Sequence, residues 1–226
     1  MKRRKIADIL RKLAMDQGHI LPPVVDCSEQ AAGSMNSYSM SLELLDHLGS
    51  KALFDSHCHV DFIKLWRLGQ SRTQVYEEFL IDYPLMNHPS LEGFITNFCS
   101  PKIWLDHLVS QSSLVNSLLS HPGVYYTLGC HPHFANDLSF ENYKHLENLV
   151  IEAGPNCVAI GECGLDTSGK NQIKMSDQLA AFKMQVILAI RLRKTIVLHI
   201  RGAEGEALRA LEDVGLPHDW PIHRLA

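Results

Sequence analysis

No stretch of this 226-residue chain stays apolar for the ~18 residues that a membrane-spanning helix needs, and the N-terminus lacks the apolar core of a secretory signal. An excess of one charge is also missing. The chain has 21 Lys and Arg against 25 Asp and Glu, a net charge of −4, so bulk charge alone does not mark a nucleic-acid binder. Cysteine is thinly spread. The six residues Cys27, Cys58, Cys99, Cys130, Cys157 and Cys163 form no CxxC pair and no dense framework, which excludes a disulfide scaffold. Reduced thiols inside the cell, in the nucleus or cytoplasm, are the expectation. What is present is ordinary for a globular protein: 46% hydrophobic residues, enough for one sizeable core.

The first fifty residues read as an extension. Lys2, Arg3, Arg4, Lys5, Arg11 and Lys12 share a predicted amphipathic helix with Ile6, Ile9, Leu10 and Leu13. A targeting or phosphate-steering patch is one reading of that charge; a solvated helix face is the favoured one. Pro22-Pro23 ends any helix, and the Gly-, Ser- and Asn-bearing stretch from Ala31 to Ser41 reads as a linker. The expected division is therefore an extension over 1–50 and a folded domain over 51–226.

From residue 51 a rhythm sets in. Apolar runs of strand length recur at Ala52–Phe54, Phe94–Phe98, Val124–Leu128, Cys157–Ile160 and Ile196–Ile200. Helical spacing fills the gaps. Ile103, Trp104, Leu108, Val109 and Val115 fit one helix, and Leu146, Leu149 and Val150 the next. Leu179, Phe182, Val186, Ile187 and Ile190 fit a third, and Ala207, Leu208, Leu211 and Val214 a fourth. Continuous rather than alternating apolar strands mean burial on both faces. The pattern is α/β, with parallel strands and crossover helices.

Polar groups of chemical interest follow each run. Ala52–Phe54 leads into Asp55-Ser56-His57-Cys58-His59, two histidines that share one face of an extended strand. Val124–Leu128 leads into Gly129-Cys130-His131-Pro132-His133, and Cys157–Ile160 into Gly161-Glu162-Cys163-Gly164-Leu165-Asp166. The fifth run delivers His199 and then Arg201. In a (β/α) barrel the carboxyl ends of the strands gather on one face, where active sites form. Imidazole suits Zn, Fe, Mn or Ni better than Ca. His57 and His59 would hold one cation and His199 a second. Glu162, the one carboxylate among the positions His57, His59, His131, His133, Glu162 and His199, would bridge two divalent ions about 3.5–4 Å apart, a spacing that activates water. His131 or His133, with Arg201, would bind an anionic substrate group. Gly129, Gly161 and Gly164 would admit backbone close to a ligand, and Asp166 would cap the following helix, the favoured reading, or orient a ligand. Trp66, Trp104 and Trp220 are read as packing.

In these motifs the chain resembles the TatD family of metal-dependent nucleases. They stand in family order across roughly residues 50–202. The resemblance implies a (β/α)8 TIM barrel of the metallo-dependent hydrolase type, and two divalent cations (Mg, Mn or Zn). It also implies hydrolysis of phosphodiester bonds in DNA or RNA, with Glu162 catalytic and His57, His59, Glu162 and His199 as ligands. The expected partner is nucleic acid, with no membrane; oligomeric state is left open. The family pattern implies two further ligands, a histidine after strand six and an aspartate after strand eight. His223 is the local candidate for the first, but it sits one pleat before the ligand position, which falls on Leu225. The second has no counterpart. The expectation is thus a barrel incomplete at its C-terminus, with bare sheet edges and activity in doubt. A non-catalytic form that binds metal or nucleic acid is the alternative. An amidohydrolase-type small-molecule hydrolase is another; the His-Pro-His loop and His199-Ile200-Arg201 favour phosphate over it.

Overall fold

In a computed structural model of the chain, residues 53–62, 89–109 and 121–225 are described. All lie within one unit of the chain, Leu48–Ala226. The N-terminal helix, the linker, the division near residue 50, Trp66 and Val115 fall outside the described residues.

The five apolar runs become strands of a single sheet, joined by a sixth at the end of the chain: β1 (Leu53–Cys58), β2 (Leu91–Phe98), β3 (Val124–Leu128), β4 (Cys157–Asp166), β5 (Thr195–Arg201) and β6 (Ile222–Leu225). They lie side by side in sequence order, and every neighbouring pair is parallel. The helices are α1 (Pro101–Val109), α2 (Phe140–Ala153), α3 (Met175–Leu192) and α4 (Glu204–Asp213). Ser139 starts α2 by accepting the Asn142 N–H at 3.1 Å, and Gly154 at φ 57° ends it. Phe94, Phe98, Trp104, Tyr126, Leu146, Ile160, Phe182, Leu188 and Ile196 form the core between helices and sheet. Trp104 belongs to this core, with its indole N–H on Gly129 O at 2.8 Å. No helix among the described residues is long and apolar enough to cross a membrane.

The sheet curls into part of a barrel. His57 on the first strand and His223 on the last stack with ring centroids 5.8 Å apart, so the inner faces of the two end strands approach each other. The β5–β6 register pairs Val197 with His223 and His199 with Leu225. Leu225 is therefore level with His199, and His223 lies one pleat below.

Two expectations are corrected. The fourth strand does not end at Ile160; it runs to Asp166, ten residues, nearly all buried. Asp166 therefore closes a strand and caps no helix: α3 begins at Met175, after Lys174. The glycines serve strand packing. A Cβ on Gly129 would lie 2.6 Å from the Gly161 backbone, and one on Gly161 2.5 Å from Val197 O. Gly161 (φ 139°) and Gly164 (φ 150°) also hold backbone angles that side-chain-bearing residues rarely adopt.

Candidate metal centre

The carboxyl ends of β1, β3, β4 and β5 bring the chemistry-bearing residues to one place. Glu162 is buried in β4 and faces histidines on two sides. Its Oε2 lies 3.3 Å from His59 Nε2 and 4.0 Å from His57 Nε2, and its Oε1 lies 3.2 Å from His199 Nδ1. Two triads share it. Ligand atoms of His57, His59 and Glu162, and of His131, Glu162 and His199, lie within 4.8 Å of one another. Each triad offers two nitrogens and an oxygen, a donor set that fits a divalent transition ion and leaves coordination positions open.

The neighbours of each ring fix which nitrogen is free. His59 Nδ1 sits 3.1 Å from the Asn97 carbonyl, an acceptor only. Nδ1 therefore carries a proton, and Nε2 faces Glu162. His57 is arranged the other way. Asn97 Nδ2 is 3.1 Å from His57 Nδ1 and also donates to Cys58 O at 3.1 Å. His57 Nδ1 accepts, so its proton sits on Nε2, 3.3 Å from His59 Nε2. Asn97 itself is buried, and Thr127 Oγ1 lies 2.8 Å from both Asn97 Oδ1 and Gly161 O. His131 Nδ1 accepts the His133 N–H at 3.2 Å, which puts its proton on Nε2. His199 is held by two carboxylates: Nδ1 by Glu162 and Nε2 by Asp166 Oδ2 at 3.2 Å. Asp166 Oδ2 also accepts from His133 Nε2 at 3.0 Å, and its Oδ1 accepts the Ser168 N–H at 2.6 Å.

Charge follows from these contacts. Burial raises the cost of charging Glu162, but hydrogen bonds from His199 and His59 outweigh it and hold its carboxyl well below the usual range. Burial likewise opposes ionisation of Asp166, and Ser168, His199 and His133 overcome it. Burial disfavours the charged forms of His59 and His199, yet Glu162, joined by Asp166 at His199, lifts both above the ordinary value. His57 and His131 go the other way. Burial takes His57 down to about 4 and, with His199 beside it, His131 down to about 3, so both are neutral. Burial pushes the Cys130 and Cys163 thiols up, so these cysteines beside the site are poor nucleophiles.

Of the residues singled out in the sequence, the structure brings together His57, His59, Glu162, His199 and His131, with His133 joined through Asp166. Arg201 is exposed at the end of β5, two residues past His199 on the same strand. Sequence reasoning favoured a helix cap for Asp166 over the ring-orienting role that its contacts with His199 and His133 fit, and passed over Asn97 and Thr127. The available signal was polar residues inside otherwise apolar runs, as Thr96 and Asn97 are in Phe94–Phe98 and Thr127 is in Val124–Leu128.

A parallel half-barrel whose strand ends surround one buried carboxylate with imidazoles defines the metallo-dependent hydrolase type of α/β fold. The chain belongs to the TatD-related DNase family: the family model described as TatD related DNase matches residues 54–224. It is similar to human 3'-5' RNA nuclease TATDN2, 31% identical over 194 residues, which are 85% of this chain and 24% of that protein. It is similar also to the 3'-5' ssDNA/RNA exonuclease TatD of Erwinia billingiae, 40% identical over 38% of this chain and 31% of that one. The chain thus spans about a quarter to a third of the length of these curated relatives. Among solved structures, YJJV, a TatD homolog from Escherichia coli, superposes with a TM-score of 0.54 at 22% identity, covering 73% of this chain and 57% of that one. A TatD family hydrolase from Entamoeba histolytica matches with a TM-score of 0.54 at 21% identity, covering 73% and 55%. These two likenesses are of fold.

Proposed function

We propose that this chain is a metal-dependent nuclease that hydrolyses phosphodiester bonds of single-stranded DNA or RNA, acting inside the cell. The observation that carries the reading is Glu162, buried and ionised between His59 on one side and His199 on the other. Membership of the TatD-related DNase family supports the substrate class, and the 3'-5' nuclease relatives support attack from a 3′ end.

His57, His59 and Glu162 would hold one divalent cation, and Glu162 and His199 a second. When bound, such ions polarise a phosphoryl oxygen and lower the pKa of a water. The remaining work falls to the chain's own groups. Glu162 presents one oxygen to each half of the centre without moving. Asp166 takes the His199 Nε2 proton in a hydrogen bond, which leaves Nδ1 to face Glu162. His131, neutral with its proton on Nε2, is a hydrogen-bond donor at the same mouth, so it suits an anionic phosphate. His133 and the exposed Arg201 would complete the phosphate contacts, Arg201 by a bidentate fork.

The test is cleavage of end-labelled single-stranded DNA and RNA oligonucleotides by the 226-residue chain with Mg²⁺, Mn²⁺ or Zn²⁺, and Glu162→Gln in parallel. Cleavage that requires both the ion and Glu162 is expected. Ion-dependent cleavage retained in Glu162→Gln overturns the assignment of the site. A folded chain that binds the ions yet cleaves neither substrate supports the non-catalytic reading instead.

A further inference from the structure

Helix α3 carries two glutamines, Gln178 and Gln185, that are buried and lie seven residues apart, two turns of helix. Both make the same unusual contact. Gln185 Oε1 accepts the Cys130 N–H at 2.7 Å, while its Nε2 donates to Cys130 O at 3.1 Å and to Ala181 O at 3.0 Å. Gln178 Oε1 accepts the Asp166 N–H at 2.8 Å, while its Nε2 donates to Asp166 O at 3.2 Å and to Ile173 O at 2.8 Å. Each side-chain amide grips both peptide groups of one residue, as a neighbouring strand would, and has its acceptor and both donors engaged.

The two gripped residues are not arbitrary. Cys130 directly precedes His131, and Asp166 is the carboxylate that binds His133 and His199. Neither glutamine reaches an imidazole. One rigid helix thus fixes the end of β3 relative to the end of β4, with a span set by two helical turns, about 10 Å. The gripped residues lie on the His131–His199 side of Glu162, whereas His57 and His59 are oriented by Asn97 of β2.

We propose that Gln178 and Gln185 are positioning residues that set the His131–Glu162–His199 half of the centre, together with Asp166, and leave the His57–His59 half to Asn97. The consequence for ion binding rests on the reading of the two triads as a cation centre; the positioning of the rings does not.

The test uses the full chain with Gln178→Met and Gln185→Met, near-isosteric changes that remove the grip. Gln178→Glu and Gln185→Glu keep the acceptor and, when protonated, one donor. Lys183→Met, on the same helix and ion-paired with Asp213 at 2.7 Å, is the control. Two quantities are read: imidazole NMR signals of the metal-free chain, and Mn²⁺ binding by equilibrium dialysis. In the Met variants the signals of His131, His133 and His199 move and that of His57 stays. One of two Mn²⁺ steps falls about tenfold, the scale of an orienting partner behind a ligand, and the other step is unchanged. The Glu variants lie between these and the parent, and Lys183→Met matches the parent. A folded variant in which His131, His133 and His199 do not move, or in which His57 moves as far as they do, overturns the proposal. If the parent chain takes up no Mn²⁺ while the three signals still move in the Met variants, the cation reading fails and the positioning role stands. Should the Met variants not fold, the same comparison made on the Glu variants decides.

Discussion

His57 and His59 are the same residue type two positions apart, yet their hydrogen bonds prepare them unequally. The Asn97 carbonyl holds a proton of His59 on Nδ1 and leaves Nε2 facing Glu162, where a cation can replace its proton, whereas the Asn97 amide donates to His57 Nδ1 and places the proton on the nitrogen that would have to ligate. Ligation by His57 requires the Asn97 amide to turn its oxygen to the ring. Thr127, whose hydroxyl can donate or accept, tolerates that turn, but Cys58 O resists it by losing its donor. His59 is therefore the stronger ligand of the pair. Mn²⁺ affinity should fall more in His59→Ala than in His57→Ala, by about tenfold, the value of a well-oriented outer partner. Equal losses in a titration of the two variants would show that the Asn97 amide does not discriminate between the rings. None of this was readable from His57-Cys58-His59, because tautomer is decided by an amide forty residues away in sequence.

At the scale of the element, the strands were legible for a physical reason. Both faces of the inner strands β2 to β5 are largely covered, so their residues read as apolar runs, whereas β1 is mostly exposed; four of the five runs begin within one residue of the strand observed and the fifth, Phe94–Phe98, three residues inside it. The ends were less legible. β4 runs on to Asp166 because Gly161 and Gly164 let it lie close against β5, and glycine in a sequence reads first as a turn. Taking those glycines as room for a ligand missed that they are room for a neighbouring strand. The packing argument is testable at Gly129, where a methyl group would meet Gly161 backbone at 2.6 Å, against Gly169, where nothing lies within 4 Å. Gly129→Ala should destabilise the chain by about 1–3 kcal/mol, the usual cost of overpacking, and Gly169→Ala should stay within about 0.5 kcal/mol. Urea unfolding of both variants measures this; a Gly129→Ala midpoint equal to the parent's would mean that β3 and β4 can separate freely.

For the whole molecule, the shared carboxylate makes stability depend on pH in opposite directions with and without an ion. His59 and His199 are held above the ordinary value of 6.5, since Glu162 outweighs the burial that opposes their charge. Groups of this kind stabilise the fold fully below 6.5, and the contribution is lost as pH rises through the higher folded value. Glu162, held below 4.5, contributes fully above that value and loses it only in acid, outside this window. His57 and His131 are already neutral there. The ion-free chain should therefore melt at a lower temperature at about pH 8 than at about pH 6. A bound cation needs the same two imidazoles unprotonated, so protons compete with it and its affinity rises with pH. Because a ligand stabilises in proportion to ln(1 + [L]/Kd), the gain in melting temperature on adding Mn²⁺ should grow from about pH 6 to about pH 8. Thermal unfolding followed by circular dichroism, with chelator and with Mn²⁺, measures both slopes. Lines that diverge as pH rises tie the ion to His59 and His199. Parallel lines would mean that the ion binds without displacing their protons, and the imidazoles around Glu162 would then be partners of the carboxylate alone.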